Sequence, residues 1–321
     1  MIWRSAFALA SGQGDRARLS ILIFHRVLER PDPLFPGEPH AAQFDALVRH
    51  VAARFRILPL AAAIDALRSG TLPARALAIT FDDGYADNLA VAAPILQRYL
   101  VPATVFVATG YLDGGCMWND LVIEALRATR ADALDLQSIG LGRFPLGSSA
   151  DRRHAIDQIL AHIKYLPIGE RQERATEILR SARVSAPSGL MLTRESLQAL
   201  HRTGLDVGAH TVTHPILARL PAESARQEIV DSKRDLETLL GKPVNLFAYP
   251  NGRPDDDYSA EHVRMIRDAG FAGAVTTAAG AATRESDVYQ LPRFTPWSRD
   301  PWRFDLMMLR NLRQRAERRA A

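Results

Sequence analysis

Short runs of apolar and β-branched residues recur along the chain, and each run ends in polar residues. Runs that are apolar at nearly every position are typical of strands in a parallel sheet that is covered on both faces. Six runs fit this description: residues 19–24, 76–81, 104–108, 205–209, 246–249 and 273–277. We therefore predict six strands of a parallel sheet.

Stretches with helical periodicity lie between these runs. Their apolar residues recur at helical spacing, and some of them begin or end at a recognisable cap. The stretches are residues 42–51, 60–67, 87–99, 193–200 and 221–240. Alternation of strands and helices indicates βαβ units, which build either an α/β barrel or an open wound sheet.

One region interrupts this alternation. Between about residues 118 and 185 no pattern is typical of a strand. Helical patterns dominate there, with a loop rich in Gly, Pro and Ser at residues 140–150. For a chain of 321 residues, we predict one domain over residues 1–309 that carries a helical insertion or lid at 112–190. A separately folding insertion is the alternative.

The composition, with 47% hydrophobic and 24% charged residues, is ordinary for a soluble globular protein. The formal net charge of +4 raises the possibility of a nucleic-acid partner. However, residues 310–321 hold five arginines and one glutamate, a net charge of +4 that accounts for the whole excess. Such ends are typically solvated, so we predict a basic C-terminal tail and no nucleic-acid partner. Nucleic-acid binding through the tail is the alternative.

The chain has one cysteine, Cys116, which excludes an internal disulfide and a metal site built from several cysteines. The apolar run from Ala6 to Ala10 is shorter than the core of a secretory signal. No stretch is long enough to span a membrane. We therefore expect a soluble, cytoplasmic protein without a transmembrane segment.

Four of the predicted strands are followed by side chains that are common in functional sites. His25 follows the first strand, Asp82 and Asp83 follow the second, His210 follows the fourth, and a turn at 249–252 follows the fifth. The carboxyl ends of parallel strands lie at one edge, where loops converge and sites assemble. We expect these residues to lie close together.

His210 and His214 are four residues apart, a spacing that directs both rings to one place on a helix or tight turn. Alone, this pair is often structural, and Asp82-Asp83-Gly84 is often an acidic turn, but on one edge the two motifs support each other. Two imidazoles and one carboxylate leave positions open for water and substrate, as catalytic metal sites do. Zn²⁺ is the first expectation, and Co²⁺, Ni²⁺ or Fe²⁺ accept the same ligands. The second aspartate can then act as a general base.

The segments 80–84 and 210–214 resemble the first two motifs of the NodB-type polysaccharide deacetylases, carbohydrate esterase family 4. The resemblance covers most of the chain outside the insertion, and it implies a distorted (β/α) barrel. It also implies that Asp83, His210 and His214 bind a divalent metal, and that Asp82 is the general base.

The segment 247–252 resembles the third motif of the family branch that acts on poly-N-acetylglucosamine-like polymers. By this resemblance, the backbone N–H of Asn251 helps to stabilise the oxyanion. Many members carry an arginine where Ala248 stands, and that arginine binds the catalytic aspartate. Arg293 is the candidate replacement here, and a simple surface arginine is the alternative.

The family's acid histidine usually comes late in the chain, and no late equivalent is found here. The permuted branch uses an early aromatic-His motif instead, which Phe24-His25 resembles. His25 is therefore the candidate acid that protonates the leaving amine, and a histidine in the core is the alternative.

Aromatic residues near the same edge are candidates to stack on sugar rings, although each of them is equally suited to packing. The candidates are Tyr85, Trp118, Tyr249, Trp297 and Trp302.

Together these features predict a hydrolase that removes N-acetyl groups from an amino-sugar polymer or oligomer. Hydrolysis of another small amide or a cyclic ureide is an alternative on the same fold. A non-catalytic carbohydrate-binding module is a second alternative, but it predicts a missing ligand or base, and all four motif residues are present.

Overall fold

The computed structural model describes residues 2–295, 298, 300–314 and 319–320. Over this part of the chain, eight strands form one sheet and two form a separate pair. The strands are β1 Ser20–Phe24, β2 Arg56–Ile57, β3 Ala76–Phe81, β4 Thr104–Val107, β5 Ala133–Leu136, β6 Gly142–Pro145, β7 Asp206–Ala209, β8 Leu246–Ala248, β9 Gly273–Ala279 and β10 Leu291–Arg293.

Helices precede, separate and follow these strands, and a short π-helical stretch, Asn88–Ala92, leads into the fourth of them. The helices are α1 Ile2–Ser11, α2 Ala41–Ala52, α3 Leu60–Arg68, α4 Ala93–Arg98, α5 Trp118–Ala128, α6 Ser149–Ile163, α7 Ile168–Ser181, α8 Arg194–Arg202, α9 Ala222–Leu240, α10 Ala260–Asp268 and α11 Pro301–Arg313. All five predicted helical stretches are found.

The large sheet closes into a barrel. Its strands follow the order β1-β3-β4-β7-β8-β9-β10 with parallel neighbours, and β2 pairs with the start of β3. Just beyond β10, the N–H of Phe294 donates to the carbonyl of Ile21 at 2.8 Å, and its carbonyl accepts from the N–H of Ile23 at 3.1 Å. These bonds join the last strand to the first. The predicted (β/α) barrel is therefore confirmed.

Strand β3 shows how the sequence builds this barrel, because all six of its residues are buried. Ala76 and Ala78 belong to an apolar cluster drawn from strands all around the barrel, which is therefore its interior. Leu77, Ile79 and Phe81 belong to a second cluster, shared with the surrounding helices. Successive side chains point to opposite faces of a strand, so a fully apolar run fills both cores.

The insertion folds around an apolar core of its own. Val122, Ile156 and Ile178, from its three helices α5, α6 and α7, are fully buried together. Leu34 and Tyr85 from the rest of the chain belong to the same core. The insertion is therefore packed against the barrel.

The expectation that the insertion lacks strands is wrong. β5 and β6 pair in antiparallel fashion, with Leu134 opposite Phe144, and both side chains are buried while their neighbours along the strands are more exposed. The loop predicted at 140–150 therefore contains β6 and the start of α6. Four-residue strands covered on one face carry too few apolar positions to stand out from helical patterns.

The first and last helices of the described chain, α1 and α11, are not predicted by the sequence pattern. α1 is helical and buries Phe7, and α11 continues to Arg313, so the first residues of the predicted basic tail are part of a helix. Leu312 is buried, and the side-chain amide of Asn311 donates to the Ser20 hydroxyl at 3.2 Å. Among the described helices, none combines the length and the apolar character needed to cross a membrane.

Candidate active site

A cavity of about 470 Å³ opens at the carboxyl ends of the barrel strands. The structure brings the residues predicted from the strand ends together there, although they come from distant parts of the sequence. Six of them line the cavity: His25, Asp82, Asp83, His210, His214 and Asn251.

Asp83, His210 and His214 form a three-residue cluster with the geometry of a metal site. The Asp83 Oδ1 atom lies 3.4 Å from Nε2 of His210 and 3.4 Å from Nε2 of His214. The candidate ligand atoms lie within 4.8 Å of one another. Asp83 Oδ1 is buried and has no hydrogen-bond partner among the described residues. Buried polar atoms are normally satisfied, so this carboxylate and two imidazole nitrogens fit a divalent cation.

Hydrogen bonds and burial act on the protonation of these residues. The Nδ1 atom of His210 lies 2.7 Å from the Ala248 carbonyl, which can only accept, so Nδ1 carries a proton and Nε2 faces Asp83. Burial lowers the pKa of His210, but the contact with Asp83 and the charge of Asp82 outweigh it and raise that pKa. Burial lowers the pKa of His214 to about 4, which keeps its imidazole neutral. Burial raises the pKa of Asp83, but the contact with His210 outweighs it and holds that pKa well below its usual range.

The backbone around the cluster adopts conformations that most residues avoid. Asp83, Thr211, His214 and Asn251 all have positive φ, at 77°, 64°, 53° and 58°. Such conformations cost about 1–3 kcal/mol each and collect at functional sites. Four of them around one cavity indicate that packing and hydrogen bonds impose this geometry.

Glu228 on α9 supports the loop that carries both histidines. Its Oε2 accepts from the N–H groups of Val212 and Thr213, each at 2.8 Å, and its Oε1 accepts from the Thr213 hydroxyl at 2.6 Å. The N–H of His214 also donates to the Thr211 hydroxyl at 3.1 Å. The sequence pattern did not single out Glu228, because it is one of many charged residues on a long amphipathic helix.

Arg293, at the end of β10, forms a bidentate ion pair with Asp82. The Nη1–Oδ1 and Nη2–Oδ2 distances are 2.7 and 2.6 Å, and both side chains are almost fully buried. Burial raises the pKa of Asp82, but the Arg293 charge outweighs it and leaves that pKa below its usual range. Arg293 is therefore not a surface residue, and it places a positive charge against Asp82 although Ala248 carries none.

In the turn after β8, Asn251 faces the cavity and Tyr249 does not. Asn251 lines the cavity, and its carbonyl accepts from the Thr277 hydroxyl at 2.7 Å. Tyr249 is buried in the core, where its ring stacks on Tyr258 at 3.9 Å and its hydroxyl donates to the Tyr289 carbonyl. The prediction that Tyr249 contacts substrate is therefore wrong, because its side chain points away from the cavity.

His25 follows β1 and is exposed at the cavity. Its backbone carbonyl accepts from the Asn88 side-chain amide at 2.9 Å, which ties the residue to the helix after β3. Exposure excludes the alternative of a core histidine. The imidazole is available to a bound substrate.

The insertion forms one side of the cavity. Tyr85 and Trp118 line it, and their contact with substrate stays a prediction; Asp120, which the sequence pattern does not indicate, lines it as well. The Tyr85 hydroxyl donates to the buried Asp120 carboxylate at 3.1 Å. Trp302 is exposed on α11 against Trp3 and does not line the cavity, and the predicted Trp297 lies outside the described residues.

A protein-family model and a known protein that match this chain both carry the same family name. A model of the polysaccharide deacetylase family matches residues 69–274, a range that contains Asp82, Asp83, His210, His214 and Asn251. "Putative polysaccharide deacetylase YxkH" of Bacillus subtilis (strain 168) is 22% identical over 277 residues, which cover 86% of this chain and 71% of that protein.

Two solved structures share the fold over nearly their whole length. The Streptococcus pyogenes deacetylase PplD in complex with acetate aligns with a TM-score of 0.62 at 20% identity, covering 93% of this chain and 99% of PplD. IcaB from Ammonifex degensii aligns with a TM-score of 0.60 at 18% identity, covering 94% of this chain and 99% of IcaB.

Proposed function

The chain belongs to the polysaccharide deacetylase family, and on that premise we propose that it is a metal-dependent amidase acting on N-acetylated amino-sugar polymers or oligomers. The observation that carries the proposal is the unsatisfied Asp83 Oδ1 between two imidazoles, with the ionised Asp82 in the same cavity. PplD, a relative solved with acetate, is named a deacetylase, and acetate is the product expected here.

Asp83, His210 and His214 would hold the cation. A divalent metal in this position, with Zn²⁺ as the first expectation, supplies a Lewis acid that polarises the acetyl carbonyl and acidifies water. His210 is oriented by the Ala248 carbonyl, and His214 by the loop that Glu228 supports. Such supporting contacts keep ligands in place for the metal.

Asp82 would act as the general base. It accepts the proton of the attacking water, and Arg293 holds the carboxylate in a fixed orientation through both oxygens. A carboxylate with a lowered pKa is ionised at neutral pH, so it is ready to accept this proton.

Asn251 and His25 would complete the reaction. The backbone N–H of Asn251, a residue that lines the cavity, donates to the oxyanion that forms as the carbonyl is attacked. His25 then gives a proton to the departing sugar amine, since a neutral amine is a far better leaving group than an amide anion. The products are acetate and a free amino sugar.

The proposal is tested by acetate release from N-acetylglucosamine oligomers, measured alongside the metal content of the purified protein. We expect about one divalent metal per chain, loss of acetate release on chelation, and recovery when metal is returned. Hydrolysis of cyclic ureides without acetate release would favour the alternative amidase. Oligomer binding without hydrolysis in the metal-loaded protein would favour a carbohydrate-binding module.

A further inference from the structure

The insertion contributes positive charge to the cavity. Arg171 on α7, Lys164 between α6 and α7, and Trp118 on α5 all line it. Arg171 is buried, with 5% of its surface exposed, and its guanidinium lies 4.9 Å from the centre of the Trp118 ring. Its Nη1 atom donates to the Lys164 carbonyl at 3.2 Å. The Arg171 side chain is thus held in one place beside the cavity.

Arg171 differs from the other arginines that line the cavity. Arg26 pairs with Asp87 at 2.8 Å, and Arg127 pairs with Asp32 at 2.8 Å. Arg171, in contrast, forms no ion pair with a carboxylate in the described part of the chain, and burial lowers its pKa. A buried cation without an anionic partner is costly and rare in folded proteins.

Structural packing alone does not account for this residue. A guanidinium has five N–H donors, and the carbonyl of Lys164 satisfies one of them. The planar group is held against Trp118, and Lys164 adds a second cation that lines the same space. Fixed guanidinium groups of this kind bind carboxylates and phosphates through two parallel hydrogen bonds.

We propose that Arg171 and Lys164 form a subsite for an anionic substituent, a carboxylate or a phosphate, on the N-acetylated sugar itself. This inference rests on the proposed deacetylase function and specifies its substrate class. The preferred substrate is acidic, and a neutral N-acetylglucosamine polymer is the poorer one.

The test compares three sugars with the metal-loaded enzyme: N-acetylglucosamine, its 6-phosphate, and its 3-O-lactyl ether, which carries a carboxylate. kcat/KM for acetate release and affinity by calorimetry are measured for each. We expect a preference of about 10- to 100-fold for at least one acidic sugar, the gain typical of hydrogen bonds to charged groups. The sugar that shows this preference distinguishes phosphate from carboxylate.

Arg171→Gln is expected to remove most of this preference, and Lys164→Gln part of it. Lys164 is only half-buried, so its variant remains informative if Arg171→Gln fails to fold. Arg180→Gln is the matched control, because it removes the same charge from an exposed position on the same helix and should keep the wild-type preference.

Equal activity and equal affinity on all three sugars would overturn the inference, and so would a preference that neither substitution changes. In those cases acetate release from the neutral sugar would still support the proposed function. Absence of acetate release from every sugar, and from N-acetylglucosamine oligomers as well, would refute the proposed function. The affinities measured by calorimetry would then test the anion subsite separately. If the Arg171→Gln variant bound the acidic sugars as tightly as the wild type does, the proposed subsite would be contradicted.

Discussion

Arg293 binds both carboxylate oxygens of Asp82, at 2.7 and 2.6 Å, although the two residues are 211 positions apart in the sequence. Arg293 Nε also donates to the Thr276 carbonyl at 2.8 Å, and its Nη1 lies 3.2 Å from the Thr80 hydroxyl. The closure of the barrel between β10 and β1 brings this arginine to the site. A charge that is missing at Ala248 is therefore supplied from another strand end.

Replacing Arg293 should reduce both stability and activity. Arg293→Met leaves Asp82 buried without its partner, so we expect a loss of about 3 kcal/mol in the free energy of unfolding. Urea unfolding and acetate release measure the two effects. Arg293→Lys keeps the charge but loses the paired hydrogen bonds, so it should fall between Met and the wild type. Unchanged stability in the Met variant would contradict this account.

Glu228 should control metal affinity without contacting the metal. Glu228→Gln replaces an oxygen that accepts from the loop with an amide NH₂ that cannot accept. We expect the affinity for metal to fall about 10- to 100-fold, as for other residues that orient ligands. Competition with a chelator measures this affinity. Glu223→Gln, at an exposed position of the same helix, should bind metal as the wild type does.

Replacing His25 should lower kcat most for substrates with a poor leaving group. His25→Gln is expected to lower kcat for N-acetyl sugars by about 10²- to 10⁴-fold, because the departing amine needs a proton. Hydrolysis of an activated phenyl acetate should be much less affected, since a phenolate leaves without protonation. The variant should retain its metal, and His154→Gln, at an exposed position on α6, serves as the control. Equal losses on both substrates would argue against an acid role.

Asp120 should make stability depend on pH. Burial, and next the charge of Asp83, raise the pKa of Asp120 to about 7 in the folded protein, above its ordinary value of 3.8. Folding therefore takes up a proton between these values, and the stability that this carboxyl contributes at low pH is lost as pH rises through about 7. Asn cannot ionise, so Asp120→Asn should gain stability over the wild type as pH rises.

The gain in the free energy of unfolding of Asp120→Asn over the wild type is expected to reach about 4 kcal/mol near pH 8 and to be small near pH 4. Urea unfolding of the metal-free protein at several pH values measures it. Asp132→Asn, at an exposed position of the insertion, provides the comparison. A stability difference that does not change with pH would contradict this, because it would show that the pKa of Asp120 is the same in the folded and unfolded protein.

Much of the barrel and of the site could be predicted because both follow from local pattern. Buried parallel strands are apolar at almost every position, and their carboxyl ends share one edge, so Asp83 and His210 could be placed together from sequence alone. β5 and β6 were missed because each is four residues long and is covered on one face only.

Side-chain direction and long-range pairing were harder to predict. Tyr249 and Asn251 lie in one turn, yet Asn251 lines the cavity while the Tyr249 ring stacks on Tyr258 in the core, and only the folded backbone decides which one faces the cavity. Arg171 lies on an amphipathic helix, where a charged residue normally indicates solvent. Its burial beside Trp118 depends on how the insertion packs, which no local pattern specifies.

The central claim, that a metal held by Asp83, His210 and His214 works with Asp82 as the base, is tested most directly by two variants measured together. Metal content and acetate release from N-acetylglucosamine oligomers are determined for Asp82→Asn and for His214→Ala. The account predicts that Asp82→Asn keeps its metal but loses acetate release, whereas His214→Ala loses both. Full activity in Asp82→Asn would contradict it.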